Sequence, residues 1–306
     1  MLPTSISLCS WVCLALVSPE NTLEARLAPL VKDHKGKVAI AVKHLGSGET
    51  YFLNADEPMP TASLIKLAVM VEAYQQAAEG KVKLSDPVIL RKGDMVPGSG
   101  ILTYHFSDGA NFPLRDAVRL MIVYSDNTAT NLVLDRIGID STNKRMAKLG
   151  LPNTRINAKV FRGSTTSVDP ARTKKFGLGS TTANEMVALA EKLYQGKLVS
   201  PEACKDMLET LKKCDDKDKL KRFLPPNTVV AHKTGSVSDI KTDAGIIYTP
   251  GGPVAICVLT WENADKRYSP DNVASIFIGR VGRAVYDYFD RQEPGQKGAS
   301  DGQRDR

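Results

Sequence analysis

Cysteine is scarce in this chain, five in 306 residues, which excludes a fold stapled by a dense disulfide framework. Cys9 and Cys13 fall in an apolar leader. Cys204, Cys214 and Cys257 show no metal-type spacing with His34, His44, His105 or His232, so no metal and no other cofactor is expected. Cys204 and Cys214 could pair in an exported chain; buried free thiols are the preferred reading. Aromatic residues make up only 6% and are not interleaved with basic ones. The stacking platforms that single-stranded nucleic acid needs are therefore missing, and no nucleic-acid partner is expected. The net charge of +7 is spread along the chain, with one loose basic cluster, Lys212 to Arg222, that is interrupted by Asp.

Long apolar runs are lacking too. Ile6 to Val17 is the nearest approach and is too short for a stable membrane anchor. It has the look of an export-signal core, but no basic residue precedes Arg26, so the usual positive n-region is missing. Residues 1–19 are read as an export leader with an atypical start, which would deliver the protein to the periplasm or the medium; an N-terminal helix is the alternative. At the other end, residues 291–306 are Gly, Pro and charge, the composition of a disordered tail.

What is present is ordinary globular composition, 42% hydrophobic and 25% charged. Leu23, Leu27 and Leu30 have helical spacing, and the runs 37–43 and 49–54 flank Gly46-Ser47-Gly48 as a hairpin. Several helical patterns follow, from Thr61 to Glu79 and on to Leu149. Residues 151–181 are polar and without period, too long for a plain connector, and read as a functional loop. Two more helices, a strand over 227–232, a second hairpin over 243–261 and a terminal helix close the pattern. Strands near both chain ends with helices between them predict α+β: one antiparallel sheet built from both ends with flanking helices, plus an all-helical subdomain and a cleft at the junction. The expected single domain is 20–290, with an α/β part over 20–60 and 183–290 and a helical part over 61–182.

Chemistry concentrates first in Met59 to Val71. Ser63 sits in the first turn of a helix, where free N–H groups and the positive dipole end favour developing negative charge. Lys66 is three residues on and shares its face, in otherwise apolar surroundings. A hydroxyl beside a lysine of lowered pKa is one way to make a nucleophile. Two further triplets follow, Ser125-Asp126-Asn127 and Lys233-Thr234-Gly235. Alone, the first is a good helix cap and the second a plausible strand end; Asp126 is expected to serve as that cap.

The three motifs in this order resemble the class A serine β-lactamase family and its penicillin-binding relatives. The resemblance runs from about Leu23 to Phe289 and includes Ser125-Asp-Asn-Thr-Ala-Thr-Asn131, Gly150-Leu-Pro-Asn-Thr-Arg-Ile156 and Lys233-Thr-Gly-Ser236. It implies Ser63 as nucleophile, Lys66 as its base, and the N–H groups of Ser63 and Ser236 as oxyanion hole. Ser125 would relay a proton to the leaving nitrogen. Lys233 would lower the Lys66 pKa and attract a substrate carboxylate. Asn127, Thr234, Gly235, Ser236 and Lys241 would bind substrate. The substrate would be a small β-lactam or a D-alanyl peptide, and the protein a monomer.

One departure matters. The family's loop glutamate, which activates the deacylating water, is expected at or near Val160, and no glutamate occurs between Glu79 and Glu185. Asp169 is the loop's own carboxylate, expected to pair with Arg155 or Arg162. Three functions are compatible with this pattern: a β-lactamase that acylates and hydrolyses slowly, a D,D-peptidase on peptidoglycan peptides, or a non-catalytic binder that β-lactams acylate.

Overall fold

Two-residue alternation along one strand sets the architecture. In the computed structural model, which describes residues 22–290, β1 (Lys37–His44) turns Val38, Ile40 and Val42 to one face and Ala39 and Ala41 to the other, and both sets are buried. A sheet covered on both faces must have layers on each side. The expectations for the leader and the tail lie outside the described residues.

The described chain opens with α1 (Leu23–Asp33), β1, its hairpin partner β2 (Thr50–Leu53) and the short β3 (Met59–Pro60). The helical block follows: α2 (Lys66–Ala78), a ribbon of β4 (Pro87–Ile89) and β5 (Asn111–Pro113) around α3 (Leu102–His105), then α4 (Leu114–Val123), α5 (Asn127–Ile137) and α6 (Ile139–Lys148). Next come β6 (Arg155–Ile156), α7 (Gly163–Thr166), α8 (Pro170–Phe176) and β7 (Gly179–Thr181). Then α9 (Ala183–Tyr194), α10 (Pro201–Leu211), β8 (Val230–Val237), β9 (Ile240–Thr249), β10 (Gly252–Trp261) and α11 (Val273–Phe289) complete it.

The main sheet has five strands in the order β2-β1-β10-β9-β8, every pair antiparallel. The N-terminal hairpin docks on the C-terminal strands through β1, in register from Lys37↔Trp261 to His44↔Val254. The fold is thus α+β with one sheet assembled from both chain ends. Val38, Ile40, Val254 and Ile256 pack beneath α1 and α11, while Ala39, Ala255, Cys257 and Leu259 meet the helical block. Small residues on that second face let helix α9 lie close across β1, β9 and β10. Burying a Val, Leu or Ile side chain contributes about 1.5–3 kcal/mol, so both faces weigh in stability.

The 151–181 segment has more structure than its sequence pattern suggests. β6 and β7 pair as Arg155↔Ser180, and β7 pairs with β3 as Met59↔Thr181. The loop's neck is thereby tied to the strand that leads into Ser63. Its two helices are too short to print a helical period. Asp169 does not pair with Arg155 or Arg162, contrary to expectation. Its side chain caps α8, accepting from the Arg172 N–H at 3.0 Å, because Pro170 starts a helix there and leaves the N-terminal donors open.

Candidate active site

Ser63 lies in a 3-10 turn, Ala62–Ile65, that runs directly into α2. Ala62 is held at φ +46°, a left-handed conformation that costs a non-glycine residue about 1–3 kcal/mol. Strand β8 passes close beneath this turn. A Cβ on Gly235 would sit 2.3 Å from Thr61 O and 2.5 Å from Thr242 Oγ1, so only glycine lets strand and turn approach. Thr242 secures the turn from β9, donating to Thr61 O at 2.9 Å.

Lys66 follows Ser63 by one turn and is fully buried. Its Nζ donates to Ser125 O at 2.6 Å and Asn127 Oδ1 at 2.8 Å, and lies 3.3 Å from Ser125 Oγ. Burial, and then the positive charge of Lys233, push its pKa well below the ordinary lysine value. A neutral amine with its two N–H groups on Ser125 O and Asn127 Oδ1 keeps its lone pair to accept a proton. Lys233, also fully buried, donates to Ser125 Oγ at 3.0 Å and to Thr234 O at 2.8 Å. The Ser125 hydroxyl therefore stands between two amines.

Asp126 caps α5 and does more. Its carboxylate accepts from Ala129 N at 2.8 Å, Ile101 N at 2.7 Å and Leu102 N at 2.9 Å, joining two helix starts and fixing Ser125 between them. Ser125 itself is at φ +52°. Asn127 is steadied by donation to Pro97 O at 3.0 Å.

These residues open on two adjoining hollows. One, about 390 Å³, is polar and is lined by Ser63, Ser125, Lys233, Thr234, Gly235 and Ser236. The other, about 450 Å³, shares Ser63 and Ser236 and is walled by Val160, Phe161, Phe176, Ile240 and Tyr268. Ser63, Ser125, Asn127, Lys233, Thr234, Gly235 and Ser236 thus line one cleft, and Lys66 is buried behind it, bonded to Ser125 and Asn127. Lys241 is not among them. Its Nζ donates to Ser238 O at 2.6 Å and lies over the Tyr268 ring, 5.3 Å from the centroid, behind the cleft wall. Its place on β9 opposite Ser236 suggests the cleft, but the lysine's long stem carries the amine away from it.

Sequence reasoning missed Asp216, which lines the polar hollow with Thr234. Burial alone would raise this carboxyl; Lys219, at 2.5 Å, overrides that and holds it at about 2. The available signal was an Asp pair beside a cysteine inside the loosely basic 212–222 cluster. At the loop, Asn131 clamps the Val160 backbone on both sides: Val160 N donates to Oδ1 at 2.8 Å and Nδ2 donates to Val160 O at 3.0 Å. The backbone is held firmly, yet the side chain it presents to the hollow is a valine. Glu185, the first glutamate after the gap, takes four bonds from Asn153 and Thr154 and is committed to holding the loop's neck.

The family model described as beta-lactamase enzyme family matches residues 22–289. The chain belongs to this family. Among beta-lactamase family relatives, the extended-spectrum beta-lactamase PER-1 of Pseudomonas aeruginosa is 24% identical over 277 residues, covering 87% of each chain. A beta-lactamase of Bacillus licheniformis is 29% identical over 253 residues, 81% of this chain and 79% of the relative. Of solved family structures, a beta-lactamase from Sphaerobacter thermophilus superposes with TM-score 0.77 at 30% identity, covering 89% of this chain and 98% of that one. PBP-A does so with TM-score 0.76 at 26% identity, covering 88% and 96%.

Proposed function

We propose that the protein is a serine hydrolase that β-lactams acylate on Ser63, and that it hydrolyses the acyl-enzyme slowly. The observation that carries this is the Lys66 amine, buried, beside Lys233, and hydrogen-bonded to Ser125 and Asn127. In the proposed reaction Lys66 accepts the Ser63 proton as the Ser63 oxygen attacks the lactam carbonyl. The N–H groups of Ser63 and Ser236 take the developing oxyanion. As the C–N bond breaks, Ser125 passes a proton to the departing nitrogen and draws one from the lysines flanking it. Lys233, Thr234 and Ser236 receive the substrate carboxylate, and Asn127 an acylamido side chain; Lys241, with its amine behind the wall, supports that pocket only indirectly.

Slow hydrolysis follows from the loop. Release of the acyl group needs a base to activate water, and positioned proton transfer is worth about 10²–10⁴-fold. Val160 offers none.

A second reading, a D,D-peptidase that uses Lys66 in both steps, is favoured by the same valine and by the likeness to PBP-A. One PBP-A mutant structure is described as an acyl-enzyme complex with penicillin G, at TM-score 0.75 and 26% identity. Export, which the apolar stretch from Ile6 to Val17 supports, suits either substrate. Intact-mass spectrometry after mixing with penicillin G, run beside hydrolysis of a D-Ala-D-Ala peptide, separates the readings. The first expects an adduct lasting minutes and slow turnover; the second adds peptide cleavage. Absence of any adduct would overturn both.

A further inference from the structure

The polar hollow holds more than the proposed acylation uses. Beyond Ser63, Ser125, Lys233, Thr234 and Ser236, its lining includes Tyr124, Asp215 and Asp216. Tyr124 closes α4 and is 43% exposed, a large share for an aromatic side chain in a cleft. Asp215 is held beside it, because Asp215 N donates to the Val123 carbonyl at 3.1 Å, and Tyr124 N donates to Leu120 O at 3.2 Å. The two residues thus hang from one helix end and border one hollow. Asp216 is already taken by Lys219, at 2.5 Å. The Asp215 carboxylate is exposed and has no ion-pair or hydrogen-bond partner among the described residues. Its sequence neighbours Lys213 and Lys217 are exposed and do not line the hollow.

We propose that Tyr124 and Asp215 form a subsite for a flat organic cation, so that the hollow selects β-lactams carrying a positively charged heteroaromatic group beside their carboxylate. The choice of β-lactams rests on the Ser63 reading given above. An aromatic face and a free carboxylate both attract positive charge, and the ring adds apolar contact. The hollow is therefore bipolar, with the Lys233 amine for an anion and the Tyr124–Asp215 pair for a cation. A cephalosporin matches this polarity. Its carboxylate and its exchangeable substituent stand on adjacent carbons of one ring, so a carboxylate received by Lys233 and Thr234 brings the substituent into the same hollow. A penicillin puts only methyl groups beside its carboxylate, and a D-alanine leaving group only one.

The test compares cephaloridine with cephalothin, which share a thienylacetamido side chain and differ in carrying a pyridinium or an acetoxy group beside the carboxylate. Non-covalent binding to the full chain bearing Ser63→Ala, read by calorimetry, judges the subsite without acylation. Cephaloridine is expected to bind at least ~5-fold more tightly at low salt. In ~0.5 M NaCl that advantage should fall by about half or more, because charge at an exposed carboxylate is screened. Asp215→Asn, added to the same chain, should bring the ratio of the two affinities close to unity, and Tyr124→Leu should cut it by roughly half. Equal binding of the two compounds, no measurable binding, or a preference that survives Asp215→Asn would overturn the proposal. So would a preference that salt leaves untouched, since ring stacking alone would then account for it. With Ser63 in place, intact-mass time courses should show cephaloridine acylating faster, by a ratio that shrinks in Asp215→Asn. Selective binding without acylation by either compound would refute the Ser63 reading and leave the cation subsite standing.

Discussion

The two walls of the cleft are made differently. One, carrying Ser63, Lys66, Ser125 and Lys233, consists of helix starts and an edge strand, and its Lys66, Ser125, Asn127 and Lys233 groups are bonded to one another at 2.6–3.3 Å. The other is the 157–177 segment, which shows Val160, Phe161 and Phe176 to the hollow. Both are anchored: Asp126 pins the first wall, and Asn131 and Glu185 pin the second. They differ in what they offer a proton. The first wall has a lowered-pKa amine between hydrogen-bond acceptors, and the second offers a hydrocarbon. A site can thus be fully prepared to form an ester and poorly prepared to release it.

The bluntest way to break this comparison is Ser63→Ala. It removes the hydroxyl of the residue that both hollows share, and in-gel fluorescence with a labelled penicillin is expected to show complete loss of covalent labelling. Persistent labelling would place the nucleophile elsewhere. Next in size is Val160→Glu, which supplies the second wall with a carboxylate on a backbone already clamped by Asn131. The acyl-enzyme lifetime measured by intact mass should shorten by about 10²–10⁴-fold. An unchanged lifetime would mean that something other than a missing base limits release.

A smaller effect is expected from Asn131→Ala. It strips both backbone bonds from buried Val160, and an unsatisfied buried group costs about 1–3 kcal/mol, to be read as a lowered midpoint in urea unfolding. The subtlest test concerns pH. Acylation needs the free amine of Lys66, so its rate should rise with pH and level off well below the ordinary lysine value of 10.5. Lys233→Ala removes the like charge, raises the Lys66 pKa, and should move that rising limb to higher pH. A limb that stays in place would detach the titration from Lys66.

Much of this was legible in the order of residues. The hairpins, the long helices and the two-ended sheet follow from the apolar runs along β1, β10 and α2, from the turn residues between them, and from the period-3.6 pattern of α11. The three motifs were legible because each sits where an element begins or an edge strand runs. Less legible was the 151–181 segment, whose β6 and β7 are two and three residues long and borrow their stability from β3. The expected Asp169 ion pair failed for a local reason, since the proline after it starts a helix that claims the carboxylate. Lys241 stands apart from the cleft lining for a reason of reach, because the direction of a long side chain off a strand is settled by neighbours such as Ser238 and Tyr268.

The sequence by itself determined the family, the sheet's assembly from both ends, and the absence of a glutamate from the loop, because these reside in residue type and periodicity. Only the tertiary structure decided which amines and hydroxyls meet, that Cys214 and Asp216 border the cleft, and that a clamped valine faces it. Burial, hydrogen-bond partners and the charges that move a pKa come from residues far apart in the chain, and their distances exist only once it has folded.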